Sequence, residues 1–164
     1  MAHPLRRSDK EISDIDEIKT ILKEAKYVTI AMSRDDEPYL ATLSHGYDAT
    51  GDCIYFHCAQ EGKKVEILKS NPLVWGQALV DDGYQQGMCD HLFRTAQFQG
   101  RVTFVENHAE KIHALKILIR HLDENPEEVI AKQVTPHSFA RVLIGRISID
   151  YLSGKRADRT IIQL

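Results

Sequence analysis

The stretch from Tyr55 to Lys64 has the clearest capacity for chemistry in this sequence. A predicted strand ends at Cys58, a short loop with Gly62 follows, and Lys63 and Lys64 begin a predicted helix. The backbone N–H groups at the amino end of a helix, together with lysine ammonium groups, suit an anion such as a phosphate. The segment is not a P-loop, so two solvated helix lysines would give the same pattern.

Histidine and cysteine side chains near the same strand raise the question of a metal site. Such a site could recruit Cys53, His57, Cys58, Cys89 and His91. However, Cys53 and Cys58 are five positions apart on a strand, so their side chains point to opposite faces, unlike the ligands of a zinc knuckle. We therefore predict no metal site, and we expect a hydrogen-bonded histidine and small buried thiols.

Two other pairs of neighbouring residues carry polar groups. Ser44 and His45 could suggest a nucleophile and its base, but neighbours on a strand face opposite ways and no G-x-S-x-G turn surrounds them. Arg94 and Thr95, at the start of a predicted strand, could hold an anion or form an ordinary edge-strand pair. Neither pair identifies a reaction by itself.

Six strands are predicted from runs of apolar residues bounded by turn residues. They are Tyr27 to Ser33, Tyr39 to Tyr47, Cys53 to Cys58, Leu73 to Val80, Phe98 to Val105, and Leu143 to Tyr151. Between the fourth and fifth strands, Asp81 to Phe93 contains Gly83 and Gly87 and has no clean period. We predict a loop there, and a loop of this length in a compact domain is more often functional than idle.

Helices are predicted between some of these strands. Ser13 and Asp16 resemble a capping box ahead of apolar residues at helical spacing, which are Ile15, Ile18, Ile21, Leu22 and Ala25. A short helix runs from Gly62 to Ser70, Asn107 caps a longer one, and Asn125 precedes a proline that begins another. The apolar face of the longer helix consists of Ile112, Leu115, Leu118, Ile119 and Leu122.

The order of these elements favours an antiparallel β-barrel with helices on its outside. The first three strands follow one another too closely for the crossover helices that a parallel sheet requires. The fold class is therefore mainly β with helices, in one domain that spans residues 1–164.

Composition narrows the class of protein further. The 164 residues are 43% hydrophobic and 27% charged, with a formal net charge of −3, so no basic surface for nucleic acid or anionic membrane is predicted. No apolar run is long enough to span a bilayer, and the amino terminus lacks the apolar core of a secretory signal. Three cysteines do not make a disulfide framework, so we expect a reducing, cytoplasmic location.

Several segments, in order along the chain, resemble one known family. They are Pro38 to Tyr47, Ile54 to Ala59 with Gly62-Lys63-Lys64, Asn71-Pro72, Phe93 to Arg101, Glu110-Lys111 with Ala114-Leu115, and Ile149-Asp150 with Gly154-Lys155. This pattern is similar to the FMN-binding split barrels related to pyridoxamine 5′-phosphate oxidase, in the subgroup that includes nitroimidazole-resistance proteins (nitroimidazole reductases). The resemblance extends from about Arg7 to Lys155.

The resemblance implies a homodimeric six-stranded antiparallel split β-barrel with two FMN sites, each built from both subunits. Thr42, Leu43 and Ser44 match the strand beside the isoalloxazine ring, and His57 and Ala59 match the strand end next to the flavin. Lys63 and Lys64 match the residues that hold the phosphate, so the resemblance and the helix-start pattern agree on these lysines. Arg94 and Thr95 match a further position that reaches the cofactor.

The function implied is a flavin-dependent oxidoreductase that reduces a small nitro- or quinone-like acceptor, with His57 as a candidate proton donor or a positioning residue. A non-enzymatic flavin-binding electron carrier or sensor would share every motif, and a haem-binding split barrel is a third possibility. The segment from Arg156 to Leu164 lacks the arginine-rich substrate motif of the oxidase proper. Oxidation of pyridoxamine phosphate is therefore not implied.

Overall fold

The computed structural model describes residues 6–139 and 141–158. Its strands are β1 (Glu11–Ile12), β2 (Tyr27–Arg34), β3 (Glu37–Asp48), β4 (Cys53–Cys58), β5 (Leu73–Gln85), β6 (Asp90–Phe104) and β7 (Leu143–Ala157). Its helices are α1 (Ile15–Glu24), α2 (Lys63–Ser70), α3 (His108–Leu122), α4 (Pro126–Gln133) and α5 (Pro136–Phe139). Residues 1–5 and 159–164, which bear on the expectations about a leader and a carboxy-terminal motif, lie outside the described residues.

Six of the seven strands in the described ranges form a closed antiparallel ring. Around the ring the order is β2, β3, β4, β7, β6 and β5, and β5 pairs with β2 again. The short strand β1 pairs with β7 at Gly154 and Lys155. The predicted six-stranded antiparallel split barrel is confirmed.

The main core lies inside this barrel and is extended by two helices. Phe56 and Phe98 are fully buried in it, and both α1 and α2 add apolar side chains to the same cluster. A smaller second core lies outside the barrel wall, where Ala114 and Leu118 of α3 pack against β4. In α3, the Asn107 side chain accepts a hydrogen bond from the Glu110 N–H, as the capping pattern predicts.

Each of the two large core phenylalanines lies opposite a glycine on the neighbouring strand. Gly76 pairs with Phe98 across β5 and β6, and Phe56 pairs with Gly145 across β4 and β7. A Cβ atom on either glycine would overlap the ring of its partner. The missing side chains therefore make room for two aromatic rings inside a narrow barrel.

Gly76→Ala is expected to lower the free energy of unfolding by about 2 kcal/mol, because the added methyl group overpacks the core against the Phe98 ring. Urea unfolding of the variant measures this cost. Combining Gly76→Ala with Phe98→Leu should cost less than the sum of the two single changes, since the smaller side chain leaves space for the methyl group. Strict additivity of the two changes would contradict the packing argument.

The predicted loop from Asp81 to Phe93 is wrong. β5 continues to Gln85 and β6 begins at Asp90, so this segment is an extended hairpin with a bulge between Asp81 and Gly83. Most of its side chains are exposed on both faces, so no alternation of apolar and polar residues marks the strands.

Smaller differences concern the ends of elements. Asp14, rather than Ser13, caps α1 by accepting a hydrogen bond from the Asp16 N–H. Strand β7 extends to Ala157, six residues beyond the predicted end, and β1 and α5 were not predicted. No helix within the described residues has the length and apolar character needed to cross a membrane.

Candidate functional site

A small pocket of about 210 Å³ lies at the start of α2. Ala59, Gly62, Lys63 and Lys64 line it together with Tyr39 of β3. Gly62 has a φ of 131°, a conformation that side chains disfavour, and it directs the chain into the helix. The N–H groups of the first helical turn have no partners within the helix. The structure thus brings together Ala59 and the two lysines, as the sequence predicts.

The two lysines differ in their electrostatic surroundings. Lys63 Nζ lies 2.8 Å from Glu37 Oε1 and 5.0 Å from the centre of the Tyr39 ring, and this hydrogen bond holds the pKa of Glu37 below its usual value. Lys64 has no ion-pair or hydrogen-bond partner among the described residues, although its charge acts on the buried Cys58 thiol. Lys64 is therefore the ammonium group left free for an anionic ligand.

Beside this pocket, β3 has a free backbone edge. Its residues 37–44 pair with β2 alone among the described strands, whereas β4 pairs with β3 only from His45 to Asp48. Continuing that register places Ser44 opposite His57 and Thr42 opposite Ala59. These four predicted site residues therefore lie along the line where β3 and β4 separate.

Along this edge of β3, successive side chains point alternately to the outer face and to the interior of the barrel. Thr42 is exposed on the outer face of the barrel, where its hydroxyl lies 3.0 Å from that of Thr29. Leu43 is 8% exposed and belongs to the barrel core, so only its backbone can face a ligand. The strand thus offers backbone N–H and C=O groups and short hydroxyl side chains to a molecule lying along it.

A second cavity, of about 320 Å³, lies behind His57 between the end of β4, the carboxy-terminal half of α3, and α4; we call it the α3–α4 cavity. Its walls are Leu115, Leu118, Ile119, Leu122, Val129, Val134 and Val142, with His57, Asp123, Gln133 and Ser138 as its polar members. The sequence predicts the apolar face of α3 but not this cavity. Val129 and Gln133 lie four positions apart on α4, a spacing that places them on one side of the helix and that could have suggested a space lined by this side.

Arg94 and Thr95 do not line the lysine pocket within one chain. Across the sheet, Ala96 pairs with Ala78, Ala78 with Val28 and Val28 with Leu43, so about three strand spacings, roughly 14 Å, separate this part of β6 from β3. The Arg94 guanidinium donates to Glu24 at 2.7 Å and to Asp82 at 3.0 Å. The Thr95 hydroxyl donates to the Lys155 carbonyl at 3.2 Å. A role for these two residues toward a cofactor stays a prediction.

The structure also gives the positions of the cysteines and of His45, which the sequence analysis considered as possible metal ligands or catalytic groups. Cys58 lies in the barrel core and Cys53 in the core beneath α3, and burial raises the pKa of both thiols. Within the described ranges, no group of three or more His, Cys, Asp and Glu side chains is arranged to hold a metal ion. Buried His45 donates from Nε2 to the Leu22 carbonyl at 2.8 Å, on the opposite side of β3 from Ser44.

The family model described as pyridoxamine 5′-phosphate oxidase matches residues 14–156. The chain belongs to the pyridoxamine 5′-phosphate oxidase family. The family match runs from the cap of α1 almost to the end of β7, so it includes the barrel strands, the lysine pocket and the α3–α4 cavity. A comparison with curated proteins gives no match.

Solved structures resemble the family fold seen here. A candidate 5-nitroimidazole antibiotic resistance protein from Bacteroides thetaiotaomicron is 26% identical, with a TM-score of 0.73 over 91% of this chain and 90% of that chain. The flavocytochrome Anf3 from Azotobacter vinelandii is 18% identical, with a TM-score of 0.80 over 96% of this chain and 73% of that one. An FAD-binding protein from Mesorhizobium loti is 21% identical, with a TM-score of 0.65 over 88% and 96% of the two chains.

Proposed function

We propose that this protein is an FMN-binding flavoprotein and that it reduces a small organic acceptor. The observation that carries the proposal is the juxtaposition of the lysine pocket and the free edge of β3. A phosphate in the pocket would meet Lys64, Lys63 and the N–H groups at the start of α2. A planar ring with hydrogen-bonding atoms at its rim would lie along residues 37–44 of β3. FMN has both parts, joined by a flexible chain.

We further propose that the protein is a homodimer whose two FMN sites each use both chains. The outer face of β2, β3 and β5 supports this, because Leu40 and Trp75 are 66% and 43% exposed beside a cleft of about 350 Å³. Burial of such a face against a second copy stabilises a dimer. A second chain can also bring Arg94 and Thr95 to a lysine pocket that they do not line within their own chain.

The chemistry proposed is two-electron transfer to a neutral acceptor such as a nitro compound or a quinone. A bound flavin supplies the redox chemistry, and the protein's residues orient it and control access to it. Thr42 and Ser44 would position the ring edge, whereas His57 would hold or deliver a proton at the end of β4.

Titration with FMN, riboflavin and FAD tests the cofactor assignment. We expect about one FMN per chain and at least tenfold weaker binding of riboflavin, because the lysine pocket has nothing to bind without a phosphate. Saturation with FMN at about a hundred times its dissociation constant should add roughly 2.7 kcal/mol to the free energy of unfolding. Equal affinity for riboflavin and FMN would contradict the phosphate assignment, and tighter binding of FAD would contradict the choice of FMN.

Light scattering of the FMN-loaded protein is the matching test of assembly. The expected mass is that of two 18.7 kDa chains at micromolar concentration. A monomer with a full complement of FMN would overturn the two-chain site. Turnover of reduced nicotinamide with a quinone supports an enzyme, whereas a flavin reduced only by a protein donor indicates an electron carrier.

The role of His57 is tested by kinetics rather than by binding. His57→Ala is expected to leave FMN affinity within about threefold of the wild type, because the residue lies outside the lysine pocket. It should alter the pH dependence of flavin reduction or reoxidation between about pH 5 and 8, the range in which an imidazole titrates. Stopped-flow traces that match the wild type at every pH in this range would mean that His57 is structural.

A further inference from the structure

We propose that the α3–α4 cavity is a binding site for a neutral, mainly apolar organic molecule of one or two rings that presents a hydrogen-bond acceptor to His57. The cavity is separate from the lysine pocket, with which it shares no lining residue.

The size of the cavity sets the size of its ligand. Its volume of about 320 Å³ is roughly twice that of an engineered apolar cavity that holds one benzene molecule, and lies at the lower end of natural ligand pockets. One substituted ring or two fused rings would fill it. A nucleotide or a peptide would not fit.

The walls determine the ligand's polarity. The carboxy-terminal half of α3 supplies leucine and isoleucine side chains, and Val129, Val134 and Val142 complete the apolar lining. Asp123 is exposed and is the acidic member of the lining. An aliphatic chamber with a carboxylate at its rim disfavours an anion, because the charge would lose water without gaining a partner. The ligand is therefore neutral.

His57 and Gln133 are the neutral polar residues of the lining whose side chains make no hydrogen bond to the described residues, and His57 is the one that lies on the barrel side, at the end of β4. Its ring makes no hydrogen bond to any described residue. By contrast, the single proton of the Ser138 hydroxyl is already engaged by the backbone carbonyls of Gln133 and Thr135, at 2.6 and 2.7 Å from the oxygen. An imidazole N–H at the end of β4 can donate to a carbonyl, nitro or similar oxygen on the bound molecule.

The construction of α4 gives an independent reason for a ligand here. This helix contributes no fully buried residue to either core, yet it carries apolar Val129 and is followed by apolar Val134, both of which line the cavity. A helix placed so that its apolar residues surround a space, rather than fill the core, is stabilised when a molecule occupies that space.

The position of the cavity suggests what the ligand does. His57 lies both in its lining and on the line where β3 and β4 separate. A molecule in the cavity is thus adjacent to the place proposed for the flavin ring, and we assign it as the electron acceptor. This role rests on the proposed function, whereas the binding site itself does not.

Methyl NMR locates binding directly, because leucine, isoleucine and valine side chains form the walls. Flavin-free and FMN-saturated samples of the full chain are titrated with acetophenone, with ethylbenzene, which lacks the carbonyl oxygen, and with benzoate. We expect the lining methyl signals to shift with acetophenone and ethylbenzene at millimolar or lower concentration, and not with benzoate. Val129→Phe, which fills the cavity, should abolish the shifts. Ala131→Phe, on the exposed side of α4, should not.

The proposed hydrogen bond from His57 is tested by measuring how one substitution changes the affinity for each of two probes. His57→Phe keeps a ring at the site but removes the donor, so acetophenone should bind about fivefold more weakly and ethylbenzene within twofold of its wild-type affinity. Equal losses for the two probes would overturn the role of His57 as donor.

Different outcomes test the cavity site and the FMN assignment separately. Binding of the probes to a protein that does not bind FMN supports the cavity site and overturns the flavin assignment. Unshifted lining methyl signals in a protein that binds FMN overturn the cavity site alone. Displacement of acetophenone from these methyl groups by FMN would also overturn it, because the cavity would then belong to the flavin.

Discussion

Lys64→Met is expected to weaken FMN binding ten- to a hundredfold, corresponding to about 1.5–3 kcal/mol for a charge-assisted hydrogen bond. Lys64 is the pocket lysine without a partner in the described structure, so its ammonium group is available to a phosphate. Methionine keeps most of the apolar stem of the side chain that lines the pocket. Fluorescence titration at low and high salt measures the loss, and the loss should shrink as salt screens the contact.

A matched control is available at the neighbouring lysine. Lys63 is already paired with Glu37, so the double variant Lys63→Met, Glu37→Gln removes one positive and one negative charge together. We expect this variant to weaken FMN binding by no more than about fivefold, and less than Lys64→Met does, because Glu37 already pairs with the Lys63 ammonium group. Riboflavin affinity should be unchanged in both variants. A loss of riboflavin affinity equal to that of FMN in Lys64→Met would show that the lysine acts on the fold of the pocket rather than on a phosphate.

The protein is expected to lose about 3 kcal/mol of stability between pH 8 and pH 4 through one histidine. Burial lowers the pKa of His45 to about 4 in the folded chain, against a reference value of about 6.5 when unfolded. At pH 8 this histidine is neutral in both states and its full contribution to stability is present. As the pH falls toward 4 the unfolded chain binds a proton that the folded chain excludes, so the free energy of unfolding decreases. The ring centre of His121 lies 4.7 Å from that of His45, and His121 adds to the same trend because burial lowers its pKa as well.

Urea unfolding between pH 4 and 8 tests this dependence. His45→Gln removes the titrating ring, so the variant should be less stable than the wild type at pH 8 but should lose less stability on acidification. His137→Gln replaces an exposed histidine and should keep the wild-type pH profile. An identical slope in the wild type and in His45→Gln would rule out His45 as the source of acid sensitivity.

The sequence predicts those parts of the fold that have one buried and one exposed face. Strand β4 has the predicted bounds, and Val28, Ile30 and Met32 of β2 are buried as the alternation requires. The hairpin from Asp81 to Phe93 extends beyond the barrel, and most of its side chains are exposed to solvent on both faces. Its sequence therefore shows no alternation of apolar and polar residues. Strand β1 has only two residues and depends on β7 for its existence.

One part of the candidate site follows from a local sequence pattern, whereas another part is created by tertiary packing. The lysine pocket is built mainly from residues 58–65, so a strand end, a glycine and a helix start were enough to predict it. The α3–α4 cavity depends on how three helices meet the barrel, and no local pattern encodes that arrangement. The pairing of Lys63 with Glu37 joins residues 26 positions apart, so the distinction between the two lysines becomes visible only in three dimensions.

The last strand of the barrel has a consequence for how the chain is made. β7 supplies the pairing partner for β4 and for most of β6, yet it is the final element of the described chain. While the protein is being synthesised, the edges of β4 and β6 stay unpaired until residues 143–157 leave the ribosome. Open edges of this kind invite pairing with other chains. A truncated chain that ends before Leu143 would therefore not form a smaller barrel. It would form an incomplete sheet that is prone to aggregate and that chaperones and proteases would act on.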